Sequence, residues 1–119
     1  MRERFEKVLS VLNAETSDIS ASAIVRKDGL VVASILPKRG VDERMLAAMT
    51  ALALGLGGRV VESLDQGRLR KVIIEGEKGQ MVIMGVRSLI LAVLARKDAN
   101  MGLVLLSMEK TLESLRKLV

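Results

Sequence analysis

The sequence predicts a single α/β sandwich built on an antiparallel sheet, with elements in the order αββαβββα and one domain over residues 1–119. Three observations predict it. The apolar period changes from helical to two-residue at Ile19, an uncharged stretch from Met45 to Gly58 stands in mid-chain, and three apolar runs separated by short turns follow it. No internal repeat, linker or low-complexity segment divides the chain.

Phe5, Val8, Leu9 and Leu12 recur at i, i+3, i+4 and i+7 among Arg2, Arg4, Glu6 and Lys7, so residues 2 to 14 read as a short amphipathic helix. From Ile19, Ala21, Ala23 and Val25 alternate with Ser20, Ser22 and Ile24. A second run, Leu30 to Ile35, follows Lys27-Asp28-Gly29. Asp-Gly between two such runs signals a hairpin, because its turn needs the positive φ that glycine takes at little cost. Pro37 and Gly40 break the strand, and Asp42 caps the central helix with Glu43 in its first turn. Gln66-Gly67 makes the exit. Leu69 to Glu75, Gln80 to Val86 and Ser88 to Ala95 then read as a three-stranded meander, turning at Gly76 to Gly79 and at Arg87-Ser88. Lys71 and Ile73 alternate with Val72 and Ile74, which makes that strand the edge candidate, whereas Leu89 to Ala95 is apolar throughout, as an inner strand requires. Asp98 or Asn100 caps the last helix, whose stripe runs through Met101, Val104 or Leu105, Met108, Leu112, Leu115 and Val119.

The central helix, Asp42 to Leu64, holds no charge between Met45 and Gly58, and an all-round apolar helix must be covered on more than one side. At about 100° per residue, Met45, Leu46, Met49, Leu52, Leu56, Val60 and Leu64 collect into one stripe, expected to wedge against the sheet. Ala47, Ala48, Ala51, Gly55 and Gly58 form a smooth strip on another side, bounded by Arg44 at one end and by Arg59 and Glu62 at the other. Small side chains let a second backbone come close, so this strip is the expected contact with a second copy. In an antiparallel pair Arg44 of one copy would approach Glu62 of the other.

Composition removes most catalytic chemistry. There is no Cys and no His, hence no thiol nucleophile, imidazole base, disulfide or Cys/His metal site. GLGGR lacks the Lys-Ser/Thr of a phosphate-binding loop, and Gly55, Gly57 and Gly58 fall inside a helix. Glu75 and Glu77 lie beside Lys71 and Lys78 in a turn, where solvated charge is the plain reading, and Ser20 and Ser22 have no base to activate them. The expectation is no enzyme, no cofactor and no metal. Net charge is +5 with pI ≈ 10.0, which admits an acidic partner, nucleic acid or a membrane surface. Phe5 is the only aromatic residue, so base stacking is not expected. Uncharged stretches fall short of the roughly 20 residues a spanning helix needs, and no long apolar run follows the mixed-charge N-terminus. A soluble, cytoplasmic protein without membrane insertion is expected.

The element order resembles the Roadblock/dynein light chain family, MglB-like members included. The stretches that carry the resemblance are Ala23 to Ser34 (AIVRKDGLVVAS), Leu46-Ala47-Ala48 opening the central helix, and Ala99-Asn100-Met101-Gly102-Leu103 before the last one. The resemblance implies a five-stranded antiparallel sheet with the central helix on one face and the terminal helices on the other. It also implies homodimers or heterodimers with a paralogue, joined edge to edge with central helices paired, which adds Lys71 and Ile73 of the edge strand to the interface. By likeness the chain is a regulator or scaffold for a separate Ras-like small GTPase, the alternative being a structural adaptor that binds no GTPase. Nucleic-acid binding through the basic surface is a third reading and requires steep salt dependence. If hydrolysis is accelerated, the partner's own switch segments are repositioned; Arg44 and Arg59 are either arginine fingers or, more plainly, dimer or surface charge.

Overall fold

The expected order appears in a computed structural model that describes residues 2–37 and 40–119: α1 (Arg2–Glu15), β1 (Ile19–Arg26), β2 (Val31–Ile35), α2 (Glu43–Ser63), β3 (Val72–Glu75), β4 (Gly79–Val86), β5 (Leu89–Arg96) and α3 (Met101–Leu118). Met1, Lys38 and Arg39 lie outside the described residues, and with them the middle of the break expected between Pro37 and Gly40.

Local chemistry sets these boundaries. Gly29 takes φ 91° in the first hairpin, where the Arg26 amide donates to the Leu30 carbonyl at 2.8 Å and the Gly29 amide to the Arg26 carbonyl at 2.9 Å. Asp42 caps α2 by accepting from the amides of Arg44 at 2.8 Å and Met45 at 3.1 Å. Asn100, rather than Asp98, caps α3 through the Leu103 amide. β3 is shorter than the apolar run from Leu69 suggests, because Leu69 turns its side chain onto α2 instead of extending the strand.

The five strands form one antiparallel sheet in the order β2-β1-β5-β4-β3, so β5 is central and β3 is an edge. Side chains alternate across it. Leu89, Leu91, Val93 and Ala95 of β5 join Phe5, Leu9 and Leu12 of α1 and Val104, Met108 and Leu115 of α3 in one core. Ile90 and half-buried Leu94 of β5 face the other way, with Val25, Ile83, Leu46 and Ala47. The terminal helices therefore cover one face and α2 the other.

The orientation of α2 corrects the sequence-based assignment of its faces. Of the expected wedge, only Leu46 is buried; Met45, Met49, Leu52, Leu56, Val60 and Leu64 are between 47% and 66% exposed. Leu46, Ala47 and Thr50 are buried instead, with Ala53, Leu54 and Gly57 half-buried behind them. The sheet supplies the reason: the strands beneath α2 already present Val25, Ile83, Ile90 and Met81, so a helix lying close needs small side chains inward. A Cβ built on Gly57 would stand 3.0 Å from Val72 Cγ2 and 3.2 Å from a Leu69 methyl. By length and composition α2 is also apolar enough to cross a membrane, unlike the uncharged stretches counted in the sequence, yet it lies docked along its sheet.

A polar clasp joins the two helical layers around the β2 edge. Glu43 accepts from the Ser34 hydroxyl and from Arg2 Nη2 at 3.1 Å, and these contacts, Ser34 first, hold its carboxyl below the usual 4.5. A depressed carboxylate stabilises above its unfolded pKa and loses that contribution as pH falls through the folded value. The side chain is 39% exposed, so the contribution is at most about 0.5 kcal/mol. Urea midpoints of the wild type and Glu43→Gln should differ at neutral pH and converge as the pH falls below the usual carboxylate range. Beneath α2 the Thr50 hydroxyl, fully buried, has no hydrogen-bond partner among the described residues. Thr50→Val should therefore raise stability by about 1 kcal/mol in the same measurement.

Candidate partner-binding surface

Turning small residues inward leaves α2 with an uncovered apolar face. Met45, Met49, Leu52, Leu56, Val60 and Leu64 follow steps of three and four residues along the exposed side of one helix, and a contiguous patch of this kind marks a contact surface. The patch continues sideways. Leu56, Gly57 and Val60 border an open groove of about 410 Å³ whose far wall is Leu69, Val72 and Ile74 at the β3 edge. β3 pairs only with β4, and its outer backbone edge is unpaired in the sheet. Ile73 and Ile74, on opposite faces of this strand, are both 47% exposed.

The interface residues expected from the sequence fall in different places. Ala47 is buried against its own sheet and cannot reach a partner, and Ala51 is half-buried near Gly29. Ala48 and Gly55 are exposed, as are Arg44, Arg59 and Glu62. Ala51, Gly55, Gly58, Arg59 and Glu62 come together around a shallow hollow of about 250 Å³ that Lys27, Leu54 and Ile90 complete. Arg44 stands at the other end of α2. Ile73 is exposed on the sheet face opposite α2, since Val72 is the residue that touches it, whereas exposed Lys71, just before β3, also lines the groove between β3 and α2. Sequence reasoning missed the large apolar residues of α2 as exposed surface; their signal was present, but it was assigned inward.

The glycines separate by use. Gly57 is tightly enclosed by Val72 and Leu69, whereas a Cβ on Gly55 or Gly58 would meet nothing within 4 Å. Among the described residues no group of three or more Asp and Glu side chains is arranged to hold a metal ion.

A sandwich with an apolar helix face and an adjoining bare strand edge presents surface of the kind that protein association buries. The Roadblock/LC7 domain model matches residues 6–95, and the chain belongs to that family. Two uncharacterised proteins of Methanocaldococcus jannaschii are 36% and 35% identical over 111 residues, each match spanning 93% of this chain and 96% of the relative. Among solved structures, Myxococcus xanthus MglB superposes with TM-score 0.83 at 25% identity, over 98% of this chain and 90% of its own. A Roadblock/LC7 domain from Streptomyces avermitilis gives 0.83 at 22% identity, over 93% of both chains.

Substitutions should tell the glycines apart. Gly57→Val should cost roughly 1–3 kcal/mol through overpacking against Val72 and Leu69. Gly55→Ala should gain up to about 1 kcal/mol in the isolated chain from helix propensity alone. Thermal denaturation at low protein concentration checks both.

Proposed function

We propose that this chain is a non-catalytic, dimeric regulator or scaffold for a Ras-like small GTPase, acting in the cytoplasm. The observation that carries the reading is the exposed apolar stripe of α2 running into the β3 edge. A second copy suits that surface because the stripe is self-complementary. With two α2 helices antiparallel across a two-fold axis, Met45 faces Leu64 of the second copy, Met49 faces Val60, and Leu52 faces Leu56. The β3 edge has the same property: antiparallel pairing centred on Ile73 sets Lys71 opposite Glu75 of the second copy, a favourable cross-strand pair. A paralogue with the same pattern would fit equally.

The GTPase half of the reading rests on membership of the Roadblock/LC7 family and on likeness to MglB. Any acceleration of hydrolysis would come from ordering the partner's own switch segments, a contact that needs no reacting group from this chain. Arg44 and Arg59 border the paired helices and remain available to a docked partner.

Leu52→Glu, at a position 64% exposed in the single chain, should leave the fold intact and convert a dimer to a monomer by light scattering at micromolar concentration. Wild type that is already monomeric there would defeat the dimer. A pull-down with a Ras-like GTPase of the same genome, loaded with GDP or GTP, should show capture that depends on nucleotide. Capture indifferent to nucleotide would favour a structural adaptor.

A further inference from the structure

One end of the sheet collects an excess of cations. Arg26 pairs with Leu89, Val86 with Leu89 and Val72 with Ile83, so the β1–β2 turn, the β4–β5 turn and the connection into β3 all emerge at that end. Lys27, Arg87, Arg68 and Arg70 stand on these three connections, all exposed and none in an ion pair among the described residues. Strands are about 4.8 Å apart, so the tips span about 15 Å from β1 to β3. Of the acids there, Asp28 is engaged by Arg26 at 2.7 Å and Asp65 lies beyond the end of α2; Glu62 shares a hollow with Lys27 and Arg59, and Glu109 and Glu113 share a cavity with Arg70, Lys71 and Arg116, so the cations outnumber the acids without being free of them. The opposite end is balanced: Glu75 and Glu77 precede Lys78, and Asp98 takes Arg96.

Two further features belong to the basic end. Arg87 holds φ 54° at the first position of a two-residue turn, a left-handed conformation that glycine would adopt more easily, so its side chain is kept against a backbone cost. Leu30, 56% exposed, follows Gly29 on the neighbouring tip. Three basic tips and one exposed apolar side chain are thereby brought to one end of the sheet. The only aromatic residue, Phe5, is buried in the α1 core, so nothing here stacks on bases.

We propose that this end docks peripherally on an anionic lipid surface, with Lys27, Arg68, Arg70 and Arg87 among the headgroups and Leu30 at the acyl boundary. The attraction acts within a Debye length and weakens with salt. It is separate from the apolar stripe of α2 proposed for self-association, although Lys27 also borders the hollow beside Gly55 and Gly58.

Flotation of the full chain with vesicles of phosphatidylcholine, alone or mixed with phosphatidylglycerol, tests this at low and high salt. Binding is expected only to the mixed vesicles and only at low to moderate salt. Lys27→Glu with Arg87→Glu should lower it by roughly 25-fold or more, at about fivefold per cation. Arg87→Gly alone should lower it about fivefold while raising the melting temperature, a pair of effects that a structural role for Arg87 would not produce. Lys78→Glu with Lys97→Glu changes net charge equally at the other end and should leave binding within about twofold. Equal loss in that control overturns the assignment to this end. Absence of binding to mixed vesicles at low salt, or capture of double-stranded DNA in preference to them, overturns the lipid surface itself. Light scattering on each variant separates these outcomes from a change in self-association.

Discussion

The close seating of α2 on the sheet is the constraint from which the rest follows. The strands beneath it bring Val25, Ile83, Ile90 and Met81 to one face, and once Leu46 and Leu54 are packed there the remaining inward positions have room only for small side chains. Ala47, Thr50 and Gly57 meet that demand, each giving up apolar contact that a Leu would have made. A helix that turns its small residues inward has to carry its large ones somewhere, and here six of them point away from the fold. Burying a side chain of that size is worth about 1.5–3 kcal/mol, so the arrangement gives up appreciable stability in the single chain that association can recover.

The same layering decides which strand is left bare. α1 packs on β2 and β1, while α3 lies against α1, β5 and β4. β3 reaches only β4 and the last turns of α2, so its edge and both its faces stay partly open. Edge strands are usually blunted by charge or by a covering element. Lys71, just before β3, and Glu75 at its end bracket Ile73 in an order that opposes unlike strands but complements an antiparallel copy of itself. In the dimer proposed above, the apolar helix face supplies contact area, and this short strand supplies direction and register.

Most of the fold was legible in the sequence because each element carried a local signal. The Asp28-Gly29 turn, the Asp42 cap and the unbroken apolarity of Leu89 to Ala95 depend on neighbours in the chain or on burial from both faces, and such signals survive without a model of tertiary packing. The orientation of α2 did not survive, for a physical reason. Periodicity locates an apolar stripe but carries no sign; when opposite sides of a helix are both free of charge, which one faces inward depends on the bulk of a sheet contributed by residues thirty or more positions away, such as Ile83 and Ile90. The rule that large residues go inside then picks the wrong side. Part of the candidate site suffered the same inversion: Ala47 was assigned to a partner and belongs to the core, whereas Leu52 and Leu56 were assigned to the core and belong to the surface. Arg44, Arg59, Glu62, Lys71 and Ile73 escaped it, because charge and edge position point outward whatever the packing.

Glycine sharpens the distinction. Gly55, Gly57 and Gly58 are equivalent in sequence terms, each a cost of roughly 1 kcal/mol to a helix interior. In the fold they are not equivalent: Gly57 lets Val72 and Leu69 reach the α2 backbone, while Gly55 and Gly58 open onto space beside Arg59 and Lys27. A helix that kept glycine only for its own packing would need one of the three. The other two weaken it without return inside a single chain, and their cost is offset only when another backbone comes to lie along α2. The apolar stripe argues for a partner by what it exposes, and these glycines argue for the same partner by what they omit.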